Sequence, residues 1–148
     1  MSSLFFKLHN WLGLGGKRRV LLVDDEPGIL ATLGAILELH DLEVVTASSS
    51  EAARQLLESA GFDLVITDMK MESDTAGYKV VDAARQSPGH PATLIISGCS
   101  GLVSDWKARG ADAMLTKPTH TPELLAVIDG LLEHPTHTKS REVRTEVA

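Results

Sequence analysis

Five short apolar runs punctuate the chain: Val20–Val23, Leu42–Val45, Asp63–Ile66 with Thr67, Thr93–Ile96, and Ala113–Leu115. Each is too short for a helix, and several are near-continuous in valine, isoleucine and leucine rather than alternating with polar residues. Strands covered on both faces have this signature. The stretches between them carry helical periodicity. Over Pro27–Leu39, residues Ile29, Leu33, Ile36 and Leu37 fall on one stripe, and the proline suits a first helical turn. Ser48 and Glu51 form a Ser-x-x-Glu capping box that opens a second helix over 48–59, with Ala52, Leu56 and Leu57 behind it. Further helices are predicted over 77–86, over 102–109 and, from Thr121-Pro122-Glu123, over 121–133.

Strand and helix thus alternate, with no hairpin signal between them. That order implies parallel pairing, right-handed crossovers and a three-layer α/β sandwich. In such sheets the functional crevice lies beyond the carboxyl ends of the strands.

A chain of 148 residues, 43 % of them hydrophobic, suffices for one domain with a sizeable core. The pattern assigns that domain to 17–134. Residues 1–16 form an amphipathic segment and glycine linker, and 135–148 a polar tail expected to lack order. In the first segment Leu4, Phe5, Leu8, Trp11 and Leu12 share one helical face, which points to docking of residues 4–12 on a protein partner or a membrane surface. The net charge of −6 is uneven: residues 1–19 carry Lys7, Lys17, Arg18 and Arg19 and no acid, leaving 10 basic and 20 acidic side chains beyond them. An acidic body argues against direct nucleic-acid binding, which needs a basic face. Cys99 is the only cysteine, which excludes an intramolecular disulfide and fits a reducing, cytoplasmic compartment. No apolar run is long enough to span a membrane, and the N-terminus lacks a signal-peptide cleavage pattern.

The apolar runs end on polar groups. Asp24-Asp25-Glu26 follow the first, Asp68 closes the third, Ser97-Gly98 the fourth and Thr116-Lys117-Pro118 the fifth. Singly, each has an ordinary structural reading: Asp25 or Glu26 as a helix cap, Ser97 as a turn residue, Lys117 as a solvated charge. Jointly they bring Asp24, Asp25, Asp68, a hydroxyl and an ammonium to one sheet edge. A lone carboxylate at the end of a buried strand is costly. Several packed together repel unless a hard cation sits among them, and oxygen-only ligation suits Mg2+. Such an ion invites a phosphoryl group, with Lys117 and Ser97 positioned to pair with its oxygens. Asp68, the central carboxylate, is then the candidate nucleophile, forming an acyl phosphate.

Val23-Asp24-Asp25-Glu26-Pro27, the strand ending at Asp68, Ile96-Ser97-Gly98 and Thr116-Lys117-Pro118, in that order, resemble the receiver domain of bacterial two-component response regulators. The resemblance covers roughly residues 18–133 and implies a flavodoxin-like (βα)5 fold with strand order 2-1-3-4-5. It implies that a sensor histidine kinase or histidine phosphotransfer protein phosphorylates Asp68. Asp24, Asp25, Asp68 and the backbone carbonyl of Lys70 would hold Mg2+, Ser97 would be the switch hydroxyl, and Lys117 would follow the family in pairing with phosphate and preceding a cis proline. Lys70 and Cys99, two residues after Asp68 and Ser97, would flank the path of water to the acyl phosphate. The chain departs from the family in four places. Glu72 stands where proline is usual, Gly77 comes about one residue late, Met114 replaces the switch aromatic, and the stretch from Ser97 to Lys117 is about two residues short. These departures touch the switch rather than the loading of the site. The expectation is a single-domain receiver, catalysing only its own phosphoryl transfer and dephosphorylation, with output through a downstream protein partner. The alternative, motivated by Glu72 and Met114, is an interaction module independent of phosphorylation. A hydrolase of the aspartyl-phosphate kind fits less well, because Lys70 stands where its second aspartate belongs.

Overall fold

The computed structural model of the chain describes residue 4 and residues 16–98 and 104–133. Its strands are β1 (Arg19–Val23), β2 (Glu43–Ala47), β3 (Leu64–Asp68), β4 (Ala92–Ser97) and β5 (Ala113–Thr116). They form one parallel sheet in the order β2-β1-β3-β4-β5. The helices are α1 (Pro27–Leu39), α2 (Ser50–Ser59), α3 (Ala76–Gln86) and α4 (Thr121–Glu133). This is the three-layer α/β sandwich that the alternation implied, with the flavodoxin-like strand order that the resemblance implied.

Alternate strand residues feed opposite layers. Val20, Leu22, Leu64, Ile66, Leu94 and Ile96 face α1 and α4, whose Leu37, Leu124 and Ile128 complete one core. Leu21, Val23 and Val65 face α2 and α3 and meet Ala53, Leu57, Val80 and Ala84. Both faces of the central strands are therefore dry, so their sequences show apolar runs rather than alternation. Burial of each Leu or Ile side chain contributes about 1.5–3 kcal/mol.

Two expected elements need correction. The cap of α2 is Ser49 rather than Ser48: its side chain accepts from the Ala52 amide at 3.1 Å, and Glu51 turns to Arg54 instead of back to the cap. Ser48 directly follows the last residue of β2 and still belongs to the turn. The helix expected over 102–109 is not found where the chain is described. Residues 104–110 run as turns, closed by Gly110 at a φ of +99° that favours glycine. With so short a connection between β4 and β5, the turns deliver Ala111 straight back to the core.

Cys99, most of the 4–12 segment and the 135–148 tail lie outside the described residues; Leu4 is exposed. Among the described residues no helix is long and apolar enough to cross a membrane.

Candidate functional site

β1 and β3 are neighbours, and both end at the same sheet edge. Asp24 and Asp25 leave β1 there, and Asp68 is the last residue of β3. One carboxylate oxygen from each of the three lies within 4.8 Å of the others. β5 delivers Lys117 to the same point, with Nζ 3.3 Å from Asp68 Oδ2 and 3.8 Å from Asp24 Oδ2. The Lys117–Pro118 bond is cis, as the resemblance implied.

Backbone amides hold the acids in place. Glu26 N–H donates to Asp24 Oδ1 at 3.0 Å, and Met69 N–H donates to Asp68 Oδ1 at 2.9 Å. The buried Thr67 hydroxyl donates to the Asp68 carbonyl at 2.8 Å. Asp24 is only 4 % exposed. Burial pushes its carboxyl above the usual range, as do the charges of Asp68 and Asp25, against the Glu26 amide and Lys117. One ammonium thus faces an acidic trio whose most buried member is poorly compensated. An all-oxygen donor set with that deficit fits a hard divalent cation such as Mg2+.

The other candidates are distributed as follows. Ser97, at the end of β4, is buried, and its carbonyl accepts the Lys117 amide at 2.8 Å, so it adjoins the lysine. The Lys70 side chain points outwards and pairs loosely with Asp74 at 3.8 Å. Glu72 reaches away from the acids to the start of α2, where it accepts from the Ser50 amide at 3.3 Å and from the Ser50 hydroxyl. Burial pushes the Glu72 carboxyl up, but the Ser50 bonds and the charge of Lys79 outweigh it and leave it below the usual range. Met114 packs on the far face of the sheet with Met69, Tyr78, Val81 and Ile95, and Trp106 lies against them.

Two features had no clear signal in the sequence. The Tyr78 hydroxyl donates to Asp105 at 2.5 Å, under an Arg109 guanidinium 4.1 Å from the ring centre. A cavity of about 550 Å3 opens beside Asp24, Asp68 and Lys117, between Ile29, Leu33 and Ile36 of α1 and Leu124 of α4. Only the apolar stripe of α1 hinted at it.

The family model of the response regulator receiver domain matches residues 20–129. The chain is 35 % identical over 117 residues to the transcriptional regulatory protein GlrR of Escherichia coli K12, a match covering 77 % of this chain and 26 % of GlrR. It spans about a quarter of that relative's length. Its fold superposes on a CheY-like receiver domain protein from Methanospirillum hungatei with a TM-score of 0.72 at 26 % identity, over 83 % of this chain and 99 % of the other. It likewise matches the response regulator TrrA of Thermotoga maritima, solved in complex with Mg2+–BeF, at a TM-score of 0.70 and 30 % identity, over 78 % and 99 %. The chain belongs to the response regulator receiver domain family. Members of that family are signalling domains that bind Mg2+ at an acidic pocket and generally take phosphate from histidine kinases or phosphotransfer proteins.

Proposed function

We propose that this receiver is phosphorylated on Asp68 by a sensor histidine kinase or histidine phosphotransfer protein and passes that signal to a downstream protein partner in the cytoplasm. One observation carries the reading: Asp68 lies among the acids of β1 with the Lys117 ammonium 3.3 Å from its oxygen. An oxygen of Asp68 attacks the phosphorus of a phosphohistidine. The P–O bond forms as the P–N bond breaks, and the imidazole leaves with the electron pair and takes up a proton. Lys117 shifts its pairing from carboxylate to phosphoryl oxygen, supplying charge where it develops. Ser97, adjoining the lysine, offers its hydroxyl to a second oxygen. Asp24, Asp25, Asp68 and the Lys70 carbonyl are the groups that would hold Mg2+, which when bound offsets carboxylate repulsion and phosphoryl charge.

The test is incubation of the full chain with a small phosphodonor and magnesium, followed by intact-mass measurement. A single adduct on the parent, absent from Asp68→Asn, is the expected result, because an amide keeps the shape but cannot form the acyl phosphate. Burial of Met114 in place of an aromatic is the observation that favours a phosphate-independent interaction module. Failure of the parent to take any adduct would select that reading.

A further inference from the structure

The loop from Met69 to Thr75 must present the acceptor strand's end, yet its own backbone fastens it at few points. Met71 N–H donates to Ser73 O at 3.1 Å, and Gly77 N–H to Met69 O at 2.8 Å. The Lys70–Asp74 pair is solvent-exposed and adds little. Among the described residues, Glu72 supplies the side-chain hydrogen bonds that tie this loop to another element. Its partner Ser50 is the first residue of α2, where free amides and the helix dipole favour an anion. The turn that ends at Ser50 begins at Ala47, whose carbonyl accepts the Asp24 amide at 3.1 Å. One turn, 47–50, therefore holds Asp24 by its first residue and Glu72 by its last.

We infer that Glu72 is a positioning residue: through Ser50 it clasps the acceptor loop to the turn that also holds Asp24. The clasp sets the spacing between the β1 carboxylates and the loop backbone before any cation arrives. It adds no ligand. It removes loop freedom that binding would otherwise have to quench. The inference rests on the receiver reading and concerns how tightly the cation is held, not which residue accepts phosphate.

The experiment compares the full-length parent with Glu72→Ala, Glu72→Gln, Ser50→Ala and the Glu72→Ala/Ser50→Ala double variant. Calorimetric titration with MgCl2, amide exchange over 69–77 without metal, and melting temperature are measured on each. Glu72→Ala should weaken Mg2+ binding about tenfold, the usual scale for a group that orients metal ligands. The Met71 and Gly77 amides should exchange faster in it. Glu72→Gln keeps an acceptor for Ser50 and should stay within about threefold of the parent. The double variant should bind no more weakly than Glu72→Ala, since both changes break one clasp. Ser50→Ala carries the same test should Glu72→Ala fold poorly. A Glu72→Ala protein that melts lower but binds Mg2+ like the parent makes Glu72 a helix cap only and overturns the inference while the receiver reading stands. A parent that binds no Mg2+ overturns both the inference and the proposal that Asp68 is phosphorylated.

Discussion

At the scale of single residues, the site is a problem of like charges. Asp24 is a buried acid whose burial and acidic neighbours outweigh the help of Lys117. Its folded pKa lies above its unfolded one, so its favourable contribution is complete below about pH 4 and is lost as pH rises through the folded value. At pH 7 the ionised group therefore burdens the metal-free fold. Asp24→Asn should raise the melting temperature of the metal-free protein by about 2–5 °C at pH 7. The gain should shrink as pH falls towards 4, and magnesium should no longer stabilise the variant. An unchanged melting temperature would mean that Lys117 already balances the trio. The acids and Lys117 were legible in the sequence because each interrupts or ends an apolar run at the same end of a strand. The Glu72–Ser50 and Tyr78–Asp105 contacts were not. Each joins residues more than twenty positions apart, and nothing in local pattern records that meeting.

At the scale of elements, the strands and four helices follow from local pattern, and the two failures, one cap and the helix over 102–109, share a cause. Ser48 and Ser49 are both good caps, and the choice between them fell to where β2 ends, a matter of pairing with β1 rather than of helix chemistry. Residues 104–110 carry residues compatible with a helix, but the tertiary demand for a short return to β5 prevails. Gly77 shows how tightly one element can grip another. A Cβ there would stand 2.6 Å from the Asp68 carbonyl oxygen and 2.8 Å from Met69 Cα, so α3 closes directly on the end of β3. Gly77→Ala must push that backbone aside. We expect a loss of about 1–3 kcal/mol in denaturant unfolding, typical of overpacking. Slower phosphorylation at saturating magnesium should accompany it, since Asp68 moves with its carbonyl. A variant that is destabilised but phosphorylated at the parent rate would show that the acceptor side chain is insulated from its own backbone.

At the scale of the whole molecule, the sheet separates two layers that both reach Asp68. On one side the cavity between α1 and α4 opens beside Asp68. On the other, Met69 leads into a cluster with Tyr78, Met114 and Trp106, and Tyr78 directly follows Gly77. Tyr78 joins α3 to the turns after β4 through Asp105, so displacement at Asp68 has a packed route to residues 104–110 without an aromatic in β5. Tyr78 is the only tyrosine, which makes the route measurable. Burial first, and then the Asp105 carboxylate, pushes its phenol up to about 12. The unfolded chain ionises near pH 10, so this stabilisation is complete below about pH 10 and is lost as pH climbs through the folded value. Ultraviolet titration of the parent should place the phenol near the higher value, and Tyr78→Phe should lose the added stability loss between those two pH values. In a Trp11→Phe background the remaining tryptophan, Trp106, should change its emission when Asp68 is phosphorylated. That change should vanish in Asp68→Asn and be blunted in Tyr78→Phe, which keeps the ring but drops the bond to Asp105. An equal response with and without the hydroxyl would route the signal through Met69 and Met114 packing alone.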